Sequence, residues 1–223
     1  MPRPGREWEG AWEQYITQVF TPSNRLRYPP LMPASPLPLQ LASIRDQLND
    51  TATRLHRLVD TLDETMWGRR PSEGKWSAAR CIEHLNITSR AYIPVLQDAL
   101  KDARARGLVA KTPSYELDFW GWLLVKSIEP PPRFRMKTPD AFVPPTIDPK
   151  EKVLREYDAH QGELIALLEE AADLRLDKIK IVSPFNGRIK YHAYSAFRII
   201  ASHQRRHIWQ AERVLRSLAT QTR

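Results

Sequence analysis

The chain has one cysteine, Cys81, in 223 residues. An intrachain disulfide is therefore excluded, and so is any zinc site built on several thiolates. The same scarcity suits a reducing compartment, which makes the cytoplasm the expected location. Long apolar runs are also missing. Stretches such as Leu164–Leu168 and Phe197–Ala201 fall far short of the roughly 20 residues that a membrane-spanning helix needs. The segment Met1–Trp12 mixes Pro, Arg, Glu and Trp without an apolar core, so no secretory signal is expected. Neither end carries a lipidation motif. There is no internal repeat, and no low-complexity tract beyond proline-rich stretches. Acidic residues are the scarcer sign of charge: 26 Asp and Glu against 34 Lys and Arg leave a net +8. The basic residues are spread among acids, as at Glu151–Lys152 and Glu169–Arg175. A solvated surface is therefore expected rather than a nucleic-acid interface, although the surplus could draw in anionic small molecules.

Proline supplies the punctuation. Eight of the 19 prolines fall in the first 38 residues, so residues 1–38 read as an extended arm. Within it, Trp8, Trp12, Tyr15, Ile16 and Phe20 could form a short amphipathic helix that docks on the body, or a loose tail. Residues 39–223 read as one helical domain. Leu41, Ile44, Leu48, Leu55, Leu58 and Leu62 recur at helical spacing and give a first helix. Gly68, Pro71 and Gly74 then break the chain.

A second helix starts at Ser77, a good N-cap, and ends before Gly107. Its inner stripe is Cys81, His84 or Leu85, Thr88, Tyr92, Val95 and Ala99, with a kink or local break near Arg90 caused by Pro94. Tyr115–Lys126 is aromatic and predicts a short helix or a packed crossover. Glu129–Asp148 is proline-rich and predicts a long connection ordered by aromatic contacts rather than hydrogen bonds.

A third helix is expected from Asp148 as N-cap and Pro149 as its first residue, with Val153, Leu154, Tyr157, Leu164, Leu168 and Ala171 inward. Leu174–Tyr191 contains the turn signal Asn186–Gly187 and predicts a short hairpin or an irregular loop. The fourth helix runs from about Ala193 to Leu218. Its stripe is Ala193, Ala196, Ile200, His203, His207, Ala211, Val214 and Leu218. The expected fold is all-α, an antiparallel four-helix bundle with a long crossover connection and an extended N-terminal arm.

Two histidines thus sit where the pattern calls for apolar residues. His203 and His207, at i and i+4, put two imidazoles on one helical face, and His84 on the second helix is the candidate third ligand. Three histidines and an open position suit a reactive metal site rather than a closed structural one. The pair resembles half of a zinc-protease helix, but Gln204 stands where that motif has its catalytic Glu, so the protease reading fails. Cys81, Trp76, Tyr194 and Trp209 are candidates to line a pocket, with ordinary core packing as the alternative. Arg205 and Arg206 are expected on the outer side of the metal helix, where one could turn inward to bind an anion. His160 is expected at the surface or boundary of the third helix, His56 in solvent, and His192 near the start of the fourth.

The string Trp76-Ser-Ala-Ala-Arg-Cys-Ile-Glu-His84-Leu and the string Ile200-Ala-Ser-His203-Gln-Arg-Arg-His207-Ile-Trp-Gln210, with Pro184-Phe-Asn-Gly187 before the latter, resemble the DinB/YfiT-like superfamily over about Leu39 to Leu218. The resemblance implies a four-helix bundle that holds one metal ion, often zinc or nickel, on His84, His203 and His207. It also implies a small-molecule substrate and either a thiol-dependent transferase, using a low-molecular-weight thiol, or a hydrolase. A non-catalytic metal-binding or stress-response bundle is the alternative. Nothing in these motifs reads nucleic acid, and the exposed apolar arm leaves room for a homodimer.

Overall fold

A computed structural model describes residues 37–132 and 137–221. The expected docking helix around Trp8–Phe20 lies outside these residues. The described chain is predominantly helical: α1 (Leu39–Asp60), α2 (Glu64–Gly68), α3 (Ala78–Ala105), α4 (Phe119–Ile128), a 3-10 turn (Asp140–Phe142), α5 (Lys150–Glu170), the strands β1 (Lys180–Ser183) and β2 (Asn186–His192), and α6 (Ala193–Gln221). The helix α3 packs on both α5 and α6, while α1 packs on the same two helices and α4 lies against α6.

Local chemistry sets the boundaries. Ser77 caps α3 by accepting from the Arg80 amide, and Gly107, at φ +66°, takes the left-handed conformation that ends a helix. The helix continues through Pro94 without a break. Beyond the proline the buried set is Leu96, Leu100 and Ala103, and the expected Val95 and Ala99 are only partly buried. A period of 3.6 residues carries the inward face one position past a strict repeat of three and four. On α6 every residue of the expected stripe is buried except His203, which is partly exposed.

Three expectations need correction. The helix α5 begins at Lys150, with Pro149 as its N-cap and no capping side chain; the Asp148 carboxylate instead pairs with Lys152 Nζ at 2.7 Å. The chain does form a hairpin between Lys180 and His192, but its turn is Pro184–Phe185. Asn186 and Gly187 already belong to β2, because Ser183 Oγ accepts the Phe185 amide and closes the turn earlier. Finally, the long connection before α5 is held by hydrogen bonds as well as by aromatic contact. Arg80 Nη2 donates to the Pro144 carbonyl at 2.9 Å, Glu83 accepts the Asp148 amide, and a nitrogen of His84 bonds the Phe142 carbonyl. Residues 80, 83 and 84 share one face of α3, so a single turn of helix captures the loop.

Two buried clusters fill the interior. One gathers Leu41, Leu96, Leu100, Tyr191 and Phe197; the other gathers Leu55, Cys81, Leu85, Tyr157 and Ile208. A buried polar chain also crosses the core. Tyr157 Oη donates to Gln204 Oε1 at 3.3 Å, Gln204 Nε2 to Gln161 Oε1 at 2.6 Å, and Gln161 Nε2 to the Leu48 carbonyl at 3.0 Å. It ties α6, α5 and α1 together. Gln204→Ala strands two of these groups and is expected to cost roughly 2–3 kcal/mol, measured by urea unfolding. A loss below about 0.5 kcal/mol would mean that the chain is not fully desolvated.

Candidate metal centre

His84 projects from α3, and His203 and His207 from α6. Their Nε2 atoms converge: His84 to His203 is 3.2 Å, and His207 to His203 is 3.1 Å. The ring centroids lie 4.5 to 5.0 Å apart, and the planes are tilted 62 to 68° to one another. These three side chains form a group able to hold one metal ion. Two nitrogens, each about 2.05 Å from a tetrahedral zinc, stand about 3.3 Å apart, close to the spacing found.

The hydrogen-bond chemistry points the same way. The Phe142 carbonyl, 2.7 Å from His84 Nδ1, can only accept, so that nitrogen carries the proton and Nε2 presents a lone pair. A proton on His203 Nε2 could satisfy His84 or His207 but not both, and a proton on His207 Nε2 would leave the His84 and His203 lone pairs facing each other. A shared cation satisfies all three. Nδ1 of His207 is buried and makes no hydrogen bond of good geometry; the Gln210 side chain, three residues along, pulls that ring's pKa slightly back upward.

Electrostatics keep the rings neutral. Burial lowers the pKa of His84, opposed only by its bond to Phe142. Burial lowers His203 and His207 well below the ordinary value, and the neighbouring rings and the Arg206 charge lower them further. Neutral imidazoles offer lone pairs without proton competition. Among the described residues no carboxylate joins the group. Glu83, beside His84 in sequence, is engaged with the Asp148 amide.

Aromatic rings enclose the group. Trp76 meets His84 edge-on at 5.2 Å and stacks on His207 at 5.8 Å. Phe185, at the hairpin turn, lies 5.9 Å from His203 and 4.4 Å from Phe142. Cys81 sits in the apolar cluster with Leu55 and Ile82, where burial pushes its thiol up. Tyr194 stacks on Tyr115 at 5.0 Å, and Trp209 lies under the Arg213 guanidinium at 4.9 Å. Gln204 joins Tyr157 and Gln161 rather than the histidines, so the protease motif fails in direction as well as in residue type. His56, expected in solvent, is half-buried, 2.8 Å from Asp158. His160 is buried, filling the stripe between Tyr157 and Leu164: an expected boundary residue proves to be core. The His192 amide donates to Asp118 Oδ2 at 2.7 Å.

Sequence reasoning missed the Phe142 carbonyl and Arg80, which anchors the same loop. A backbone acceptor has no residue signature. Arg80→Ala should loosen that loop and weaken metal affinity up to about ten-fold, as loss of outer-shell support does. Competition with a chromophoric chelator measures it; an unchanged affinity would mean that His84 is oriented without the loop.

A search of the curated proteins and a search of the solved structures each returned no match. The family model described as the DinB superfamily matches residues 47–211, from the third turn of α1 to about two-thirds of the way along α6, a span that contains all three histidines. The chain belongs to the DinB superfamily.

Proposed function

We propose that the chain is a metal-dependent enzyme in which His84, His203 and His207 hold one divalent ion, zinc or nickel, and which acts on a small molecule by activating a thiol or a water. The observation that carries this reading is the convergence of three neutral Nε2 atoms at 3.1 and 3.2 Å, with no fourth ligand in the group among the described residues. In this reading α1, α3, α5 and α6 form the antiparallel four-helix bundle of the superfamily, and the loop 137–149 is its crossover. A divalent ion held there would supply Lewis acidity, lowering the pKa of a bound thiol or water.

The protein's own groups do the positioning. The Phe142 carbonyl fixes the tautomer of His84, while Trp76 and Phe185 pack against the imidazole rings. Among the described residues no carboxylate joins the three histidines, which favours a low-molecular-weight thiol over water, since a metal-bound thiolate is already nucleophilic. The deep burial of His84 and His207, 2% and 6% exposed, also suits a second reading: a non-catalytic, metal-stabilised bundle.

Cobalt-substituted protein separates the two. Titration with cysteine or glutathione should produce a saturable thiolate-to-cobalt absorption band that is absent from His203→Ala. If no thiol gives that band, thiol transfer is overturned, and the non-catalytic reading moves ahead. None of the described helices is long and apolar enough to cross a membrane, and we place the reaction in the cytoplasm on the strength of the single cysteine.

A further inference from the structure

Two arginines leave α6 on the side away from the histidines. At about 100° per residue, Arg198 and Arg205 lie roughly 160–180° around the helix from His207. With Gln47 of α1, and Val125, Lys126, Glu129 and Pro131 at the end of α4, they line a cavity of about 710 Å³. That size falls within the range of small-molecule sites.

Its own lining carries three cations and one carboxylate. Arg205 is fully engaged: Nε and Nη2 grip the two Glu129 oxygens at 2.8 and 2.7 Å, Nη2 also reaches Ser202 Oγ at 3.0 Å, and Nη1 donates to Gln47. Burial would raise the Glu129 carboxyl, but this fork, with Ser202 and the Arg198 charge, holds it below the usual range. The one carboxylate of the cavity is thus consumed by one of its three cations. Arg198 is left with a buried Nε that has no hydrogen-bond partner, and among the described residues its guanidinium has no ion pair. Lys126 is exposed, its ammonium 6.0 Å above the Trp122 ring. Glu129 offsets only part of the charge of Arg198 and Arg205, and with Lys126 the lining keeps a surplus of positive charge, which concentrates anions in a cleft.

The helices α4 and α6 are clamped together one turn from Val125 and Arg198. Gly121 of α4 lies so close to Ser195 of α6 that an added Cβ would stand 2.2 Å from its Oγ. Asp118 fixes the same junction through Gly121, Ser195 and His192. The cleft between the two helices is therefore preformed.

We propose that this cavity is a second ligand site, distinct from the metal centre, in which Arg198 and Lys126 bind the oxyanion group of a small organic anion and Val125 and Pro131 receive its apolar part. A guanidinium fork matches the planar oxygens of a carboxylate and two oxygens of a phosphate.

Calorimetric titration of the full chain with inorganic phosphate, phenyl phosphate and benzoate tests it. Saturable one-to-one binding of phenyl phosphate or benzoate, tighter than that of inorganic phosphate, is expected, and whichever binds tighter identifies the oxyanion. Arg198→Gln should weaken binding about ten-fold or more, and Arg198→Lys should restore part of it. Lys126→Gln, an exposed change that the fold tolerates, should weaken it to a lesser degree. His203→Ala should leave it intact, which separates this site from an anion held on the metal, and Arg188→Gln on the exposed hairpin controls for general charge. No saturable binding by the wild type up to about 10 mM, or equal affinity in Arg198→Gln and Lys126→Gln, would overturn the proposal.

Discussion

Zinc, supplied at a free concentration a thousand times its dissociation constant, is expected to raise the melting temperature by roughly 8–16 °C. An ion that binds only the folded state at that excess adds about 4 kcal/mol, and a chain of this size gains about 2–4 °C per kcal/mol. The coupling follows from the geometry. His84 comes from α3 and the other two rings from α6, so a shared ion joins two helices that are more than a hundred residues apart in sequence. An unfolded chain has no such convergence, and the binding energy becomes folding energy. Excess chelator should reverse the shift. His84→Ala and His207→Ala each open a cavity and start from a lower melting point, so the quantity to compare is the shift that zinc causes in each protein. It should fall to a small fraction of the wild-type value. An equal shift in the variants would locate the stabilising ion elsewhere.

Gly121→Ala is expected to be the most damaging single-methyl change. The added Cβ would stand 2.2 Å from Ser195 Oγ, 2.4 Å from Ser195 Cβ and 2.9 Å from Asp118 Oδ1. The Ser195 Cβ is fixed to the backbone of a buried helix and cannot swing aside. The Asp118 carboxylate caps α4 at the Gly121 amide, so relief on that side would undo the cap. Overpacking of this kind costs about 1–3 kcal/mol, and loss of a cap about 1 kcal/mol more. The melting temperature should therefore fall by roughly 4–16 °C. Substitution at Gly162, where a Cβ would meet nothing within 4 Å, should be neutral or stabilising and serves as the control. If the two changes behave alike, α4 is not clamped on α6.

The residues differ in how far sequence revealed their roles. On α6 the stripe from Ala193 to Leu218 is regular enough that His203 and His207 stand out as polar side chains in apolar places, and both were legible. His84 was legible as one of two neighbours, because the inward face of α3 at that point includes His84 and Leu85 together. The inward face past Pro94 was misplaced by one residue, since six positions do not fix a phase that drifts with a 3.6-residue period. Asn186–Gly187 is a strong turn pair, yet Ser183 Oγ closed the turn before it. What holds His84 in place was not legible at all. Its partner is a carbonyl 58 residues away, on a loop that only the tertiary fold brings to α3. The Arg198 cavity escaped notice for a similar reason: an arginine reads as solvated until the fold shows that its one nearby carboxylate is already taken.

The most direct test of the metal centre is elemental analysis of the protein purified without a metal-affinity tag, beside His84→Ala and His207→Ala, with circular dichroism to confirm that the variants are folded. The geometry predicts about one equivalent of a divalent transition metal per chain, lost in both variants. A wild-type protein that carries no such metal, even after incubation with zinc and with nickel, would contradict it.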